Sequence, residues 1–412
     1  MKDSYLYILI YPIIFGMFLG GILNLSENSS LPLSIFQLSL IFAFAFAVLN
    51  RLVQQDTSYY SAGYFPIILV FMAVISFSLI YSSDQINGTL KLFRFIILCL
   101  FIFFLSNVII EKKSIYRLLV FTAIMGSIIS LFSVFEYVLN PEIAIQNFIN
   151  SGIKIERTDA EGLFSDPNRF AAALILPIAF TFTLSNTGNN TRIKIFALIS
   201  FVIMMGGVLT TYSRSGLLAI LLALIIIIIK TNKTRLLIVL ISSFLLMVLL
   251  VPSMRYLAIS YSERFISLFS GSIDASSNIR IMLAIGAVMI FVNSKMLGTG
   301  FESFNVEFRK YFDSLETLGV EESHNIFLTI FSELGLIGGL VFIYIVRMII
   351  IDSKKCIDMS KSNDEREISI TLMSSLWGIL LFYQFYGDAL FDNILMLIIG
   401  LSFAMKKILY KE

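Results

Sequence analysis

Charge is scarce in this chain. Asp, Glu, Lys and Arg make up only 14% of its 412 residues, against about 25% in ordinary soluble domains. The 30 Lys and Arg nearly cancel the 28 Asp and Glu, leaving a formal charge of +2. That balance excludes the strongly basic character of a nucleic-acid binder. Histidine occurs once, at His324, and cysteine twice, at Cys99 in an apolar run and Cys356 in a segment read as a polar loop. Neither cysteine has a neighbour at metal-ligand spacing, so no disulfide scaffold and no zinc site are expected. No D-x-D triplet, P-loop or G-x-S-x-G occurs, which argues against a metal-bound sugar nucleotide, nucleotide binding and a hydrolase elbow. A lone G-x-G, Gly298-Thr299-Gly300, follows no strand and reads as a turn. No cofactor and no metal are expected.

Apolar residues are abundant instead, at 58%, and mean hydropathy is +0.89. A soluble single domain and a disordered chain are excluded. A helix needs about 20 mostly apolar residues to cross the hydrocarbon layer. Such stretches are predicted at 4–23, 31–50, 64–81, 90–110, 115–139, 168–185, 192–211, 214–230, 235–251, 325–347, 368–386 and 390–408. Phe and Ile fill them without the alternation of a barrel strand. The first stretch lacks the features of a cleaved signal peptide. The expected fold is therefore all-α, a polytopic membrane helix bundle of about 12 transmembrane helices with a long outer loop. Residues 1–251 hold the first nine helices and an outer loop at 140–167, residues 252–324 form the long outer loop, and residues 325–412 carry the last three helices.

Lys and Arg fix the orientation. Lys2, Arg51, Lys112, Lys113, Arg117, Arg192, Lys194, Lys230, Arg347, Lys354, Lys355, Lys406 and Lys407 all fall on one set of loops. The opposite short loops 24–30, 82–89 and 387–389 contain no basic residue. Both termini are thus expected in the cytoplasm of a cell whose plasma (inner) membrane holds the chain. The apolar segment Ile281–Val292 is too short to cross and is expected at the membrane interface. If 281–297 crossed instead, the basic segment 347–366 would face outward.

The spans are almost free of charge; Arg94, Glu136 and Glu333 are the main exceptions. Polar chemistry gathers on the outer face, at Arg169, Arg214, Arg255, Arg264, Arg280 and His324. A proton-driven carrier needs carboxylates near the midplane. An outer-face site suits a substrate carried by a lipid. Arg214, in Thr210-Thr211-Tyr212-Ser213-Arg214-Ser215-Gly216, and Arg280, which opens the apolar segment, can each serve as an interfacial anchor or as a guanidinium fork for phosphate. His324 lies in Glu321-Glu322-Ser323-His324-Asn325, with Ser323 expected to cap the helix that follows. The positive helix end there favours a neutral imidazole and the two glutamates oppose it; a neutral imidazole can accept a hydroxyl proton. The glycines after Glu333 are expected to allow close helix packing.

The order of these motifs carries a resemblance. Thr-Tyr-Ser-Arg-Ser-Gly after a span, a long outer loop with an arginine before an apolar segment, Leu297-Gly298-Thr299-Gly300-Phe301, Ser323-His324-Asn325 and Glu333-Leu334-Gly335 follow one another. Asp166-Pro167-Asn168-Arg169-Phe170-Ala171 precedes them. The sequence resembles the bacterial O-antigen polymerase and O-antigen ligase superfamily over about 209–340. The resemblance implies a metal-independent integral membrane glycosyltransferase acting on undecaprenyl-diphosphate-linked saccharides at the outer face of the inner membrane. It implies that Arg214 and Arg280 hold the donor diphosphate and that His324 activates the acceptor hydroxyl, with Arg264, Arg169 and Glu333 as further substrate-binding candidates. Relatives often carry an aromatic shortly after the loop arginine, where this chain has Met282, Leu283 and Ala284, so Arg264 or Arg255 remain alternatives to Arg280. A polysaccharide polymerase is the leading expectation. A ligase moving glycan onto lipid A-core, a lipid-linked saccharide transporter and a non-enzymatic assembly subunit are the alternatives. The expected partners are the lipid-linked donor, the glycan acceptor, membrane lipids and a chain-length regulator.

Overall fold

The computed structural model describes residues 6–19, 35–54, 63–139, 166–187, 190–232, 259, 275–312, 323–387 and 389–411. Among these residues every regular element is helical. In chain order they are α1 (Ile10–Phe18), α2 (Ile35–Gln54), α3 (Phe65–Ser78), α4 (Gln85–Val108), α5 (Lys112–Leu139), α6 (Pro167–Ala173) and α7 (Ile175–Thr187). There follow α8 (Thr191–Thr210), α9 (Arg214–Thr231), α10 (Ala275–Asn293), α11 (Phe304–Arg309), α12 (Ile326–Met359), α13 (Asn363–Phe382) and α14 (Asn393–Lys411).

Among the described residues, 8 helical stretches are long and apolar enough to cross a membrane, counting Pro167–Asn186 as one. The expected count of about twelve is met only in part, for identifiable reasons. The helical stretches Leu6–Phe18 and Phe65–Tyr81 are apolar but shorter. The expected span 235–251 lies outside the described residues, as do Arg255, Arg264, Glu321 and Glu322 and the side chain of Glu136. The expected span 368–386 corresponds to α13, which starts with Asp364 and Glu365 in its first turn and ends at Phe382.

The chain divides into two compact units, Met1–Thr57, Val108–Ser272 and Met359–Ile379 in one and Ser58–Asn107, Ile273–Asp358 and Leu380–Glu412 in the other. In the first unit α5 and α7 pack on α8, and α9 packs on α7. The close approaches use small residues: a Cβ on Gly207 would come within 2.6 Å of the Ser130 side chain, and one on Gly378 within 2.8 Å of the Ala219 carbonyl. Ser133 and Thr210 share a hydrogen bond of 2.7 Å across the α5–α8 contact. At the other end of this unit Lys112 pairs with Glu365, whose second carboxylate oxygen accepts from the Lys361 and Ser362 N–H groups at 2.8 and 3.2 Å. Burial acts to raise the Glu365 pKa, but the hydrogen bonds from Lys112, Lys361 and Ser362 outweigh it and bring it to about 2, from 4.5. The stabilisation from a lowered carboxyl is complete above its unfolded pKa and fades as pH falls toward the folded one. The thermal stability that the wild type holds over Glu365→Gln in detergent is thus expected to shrink as pH falls from 4.5 to about 2. Melting curves across that window check it.

In the second unit the ends of α4, α12 and α14 are tied by a half-buried and a buried lysine. Lys406 pairs with Asp352 at 2.5 Å and reaches the Tyr64 hydroxyl at 3.2 Å. Lys407, 5% exposed, donates to the carbonyls of Ser106 and Asn107 at the end of α4, where a cation complements the helix dipole. These contacts explain why α12 runs to Met359 rather than ending near 347: its last turns are packed, and Cys356 is a buried helical residue, not a loop residue. Helix α10 buries Leu283, Ala287 and Ile290 against Phe304 and Phe308 of α11. Its other face keeps Ile281, Ile285, Val288 and Val292 exposed. Apolar on both sides, α10 suits a lipid-contacting segment.

Candidate functional site

The described site candidates fall into the two units. Arg169 and Arg214 belong to the first; Arg280, His324 and Glu333 belong to the second.

In the first unit, local sequence rules build a paired helix start. Asp166 takes the extended conformation of a cap, and its carboxylate accepts from the Asn168 and Arg169 N–H groups at 2.6 and 3.4 Å. Pro167 follows as the first helical residue, where its fixed φ costs nothing. Ser213 caps α9 in the same way, accepting from the Gly216 N–H at 3.1 Å. The Ser213 hydroxyl also donates to the Asn168 side-chain carbonyl at 2.8 Å, so one hydroxyl pins the two starts together. Gly216 permits this approach: a Cβ there would stand 2.5 Å from that of Ala171. Tyr212, at φ 51°, turns the chain from α8 into α9. Two segments quoted separately in the sequence are thereby one structure. Arg169 and Arg214, both half-buried, sit in the first turns of adjoining helices. The side chains at these starts take up backbone N–H groups, one of them as the Asp166 carboxylate, so it is the two guanidinium groups that can receive an anion here. Ser213→Ala removes the cap and the Asn168 link together and is expected to cost about 1–2 kcal/mol. Thermal unfolding in detergent measures it.

In the second unit, the Gly298–Phe304 segment docks into an interruption of α12. Gly335 takes φ 68° and ψ −166° inside that helix. The interruption removes helical pairing, and the neighbouring loop supplies the partners: the Thr299 N–H donates to Ser332 O at 3.1 Å, the Gly300 N–H to Glu333 O at 2.9 Å, and the Leu336 N–H to Met296 O at 2.9 Å. Glu333, 4% exposed, turns its carboxylate to the start of α11, accepting from the Phe304 N–H at 3.2 Å. The loop is fixed from its other side by Ser82 and Ser78, which bond the Phe301 carbonyl and N–H at 2.7 and 3.2 Å. Lys91 pairs with Glu302 at 2.8 Å, and Arg94 donates to the Phe391 carbonyl at 3.4 Å. The expectation that Gly335 serves close helix packing is therefore corrected: it breaks the helix so that a loop can enter. Non-helical backbone inside so apolar a helix persists where protein satisfies it.

His324 precedes α12. The cap of this helix is Asn325, whose side-chain carbonyl accepts from the Phe327 and Leu328 N–H groups at 3.0 and 3.1 Å. Ser323 was expected in that role; its hydroxyl instead donates to the Asn325 carbonyl at 2.9 Å and meets the Thr329 hydroxyl at 2.7 Å. His324 therefore stands before the helix rather than in its first turn, at φ 53°. That left-handed backbone is uncommon outside glycine and is tolerated by histidine better than by most residues. Sequence reasoning missed the partner of this turn. Phe382-Tyr383-Gln384-Phe385-Tyr386 lies against it: the Ile326 N–H donates to Tyr383 O at 3.0 Å, and the Asn325 amide reaches the Gln384 carbonyl and side-chain oxygen at 3.3 and 3.2 Å. The Tyr386 ring centroid is 6.2 Å from that of His324, inclined by 46°. The visible signal was a cluster of aromatics at a helix end. Arg280, half-buried, lies in the second turn of α10. Among the described residues no group of three or more His, Cys, Asp or Glu side chains is placed to hold a metal ion.

A helical membrane protein with polar turns at its helix starts is the class so defined. Residues 199–343, about a third of the chain, match the family model described as O-antigen ligase, which supports membership of the O-antigen ligase and polymerase superfamily. The family suggests an enzyme of glycan transfer. No curated protein matches the chain.

Proposed function

We propose that the protein is a polysaccharide polymerase of the O-antigen type. It joins undecaprenyl-diphosphate-linked repeat units at the outer face of the bacterial inner membrane. The observation that carries this reading is the pinned pair of helix starts bearing Arg169 and Arg214, a setting suited to a diphosphate. An acceptor hydroxyl oxygen attacks the anomeric carbon of the donor. The bond from that carbon to the diphosphate oxygen breaks, and its electron pair leaves with undecaprenyl diphosphate. The hydroxyl proton passes to His324. Arg214 and Arg280 neutralise the growing charge on the leaving group, and fixed guanidinium groups in a semi-dry setting suit that task. Single displacement inverts the anomeric centre. Glu333 acts from behind, by holding the start of α11.

The contacts within each unit support the orientation. In the second unit, Ser83 bonds Glu307 at 2.5 Å and Asn325 bonds Gln384; the Lys and Arg distribution assigns all four to the outer side. Lys406 meets Tyr64 and Asp352, and Lys407 meets the end of α4; the same distribution assigns all of these to the inner side. Segments before and after α10 thus pair as they should if α10 does not cross. In the first unit, Arg117 reaches the Tyr7 hydroxyl at 2.6 Å, joining two ends read as cytoplasmic.

A ligase is the second reading, favoured by the description of the matching family model. Lipid-linked glycans from a deletion strain separate the two. Loss of a polymerase leaves single repeat units on the acceptor, whereas loss of a ligase leaves long chains on undecaprenyl diphosphate.

A further inference from the structure

We propose that the aromatic turn Phe382–Tyr386 is the platform for the acceptor saccharide, with Tyr386 as the surface on which a sugar ring stacks beside His324. The inference rests on the glycosyltransferase reading above and adds the part that reading lacks. A base can accept a proton only from a hydroxyl held within hydrogen-bond reach. A pyranose offers few charges to grip; it offers an apolar face of C–H groups and a polar rim. Such a ring is held by a flat aromatic side chain together with a few polar groups.

The turn has these properties. Tyr386 is half-buried and is backed by Phe382 at 5.2 Å and Tyr383 at 6.4 Å between ring centroids. Both backing rings are buried, at 0% and 2% exposure, so one side of the platform rests on packed rings. The Gln384 amide nitrogen is anchored on the Leu380 carbonyl at 3.0 Å. The bonds from Asn325 and Ile326 to Gln384 and Tyr383 lock this turn to the His324 turn. Residues about 60 positions apart thus form one body that holds the His324 and Tyr386 turns side by side, an arrangement suited to keeping the reacting geometry constant.

Aromatics at a helix end also serve as membrane-interface anchors. The interfacial type is visible elsewhere in this unit, in Tyr81 at 46% and Tyr344 at 48% exposure. Tyr386 differs: its ring neighbours are an imidazole and two buried rings, and its turn is hydrogen-bonded to a histidine loop. Anchoring requires none of this.

The test uses the full-length protein purified in detergent. The probe is the repeat-unit saccharide released by mild acid from lipid-linked glycans of the producing cell, which carries no diphosphate. Tyr386→Phe keeps the flat face; Tyr386→Leu keeps apolar bulk without it. Saturation-transfer NMR titration is expected to show Tyr386→Phe within about threefold of wild type and Tyr386→Leu weaker by about tenfold. Arg214→Ala should leave this affinity unchanged. In transfer assays Tyr386→Leu should raise the acceptor half-saturation by about tenfold and leave donor half-saturation and maximal turnover within about twofold. Wild-type-like saccharide binding by Tyr386→Leu overturns the platform. So does Tyr386→Phe as weak as Tyr386→Leu, which assigns the effect to the hydroxyl, or a Tyr386→Leu protein changed only in melting temperature, which assigns the residue to packing or anchoring. A wild-type protein that binds the saccharide through Tyr386 yet extends no lipid-linked repeat unit sinks the transferase reading and leaves the platform standing.

Discussion

Cells carrying Arg214→Ala or His324→Asn in place of the wild-type protein are expected to stop extending glycan and to accumulate single repeat units. Removing a group that stabilises charge on the leaving side costs about 10²–10³ in rate. Removing a general base costs about 10²–10⁴. Either loss reduces a ladder of long chains to single units. The choice of variant follows from the backbone. Arg214 is the first residue of α9, and its helix start keeps the Ser213 cap whatever follows, so alanine is tolerated there. His324 sits at φ 53°, where alanine adds backbone strain and asparagine adds little. Arg214→Lys keeps the charge but loses the planar fork and should fall between wild type and alanine. Glycan ladders, lipid-linked pools and membrane protein levels, measured together, decide it. Full-length glycan in both variants at normal protein levels would falsify the assigned roles.

Much of this was legible where the rule is local. The expected spans 168–185 and 214–230 start within a residue of Pro167 and Arg214, where the helices begin, because an apolar run is local; the Asp166 and Ser213 caps are visible only in the fold. The apolar runs announced their helices, and basic residues such as Lys112, Lys406 and Lys407 marked ends that the contacts then tied together within each unit. What escaped depends on partners distant in sequence. The apolar pattern of α12 continues across Gly335 without a sign of the break, because the groups that replace its helical bonds come from residues 296–300. Ser323 and Asn325 are both good cap residues, and only the fold chose Asn325. The Phe382–Tyr386 turn carried no motif at all; its meaning comes from lying beside His324. Arg280 was placed by resemblance, and its helix proved longer than the apolar core that suggested it, beginning at Ala275.

The second large effect is structural and concerns the docked loop. Gly298 and Gly335 hold φ 80° and 68°, and each would place a Cβ on the backbone of the other segment: Gly298 on Glu333 and Gly335, Gly335 on Leu297 and Met296. Backbone strain of this kind costs about 1–3 kcal/mol per residue. The clash adds to it, because backbone on both sides is already hydrogen-bonded and cannot retreat without losing the bonds of Thr299, Gly300 and Leu336. Against a typical total stability of about 5–15 kcal/mol, the sum is severe. Gly298→Ala and Gly335→Ala are expected to lower the melting temperature sharply in detergent, and the valine variants to yield no monodisperse protein. Gly63 supplies the control: it shares the positive φ, at 73°, but a Cβ there meets nothing within 4 Å, so Gly63→Ala should show the strain without the clash. Glu333 tests the same joint from the side chain. Glu333→Gln keeps an oxygen for the Phe304 N–H and should stay close to wild type, whereas Glu333→Ala orphans that buried donor at a cost of about 1–3 kcal/mol. If Gly298→Ala and Gly335→Ala melt no lower than Gly63→Ala, the loop does not enter the helix break, and the joint between the Gly-x-Gly turn and α12 is not what holds this unit together.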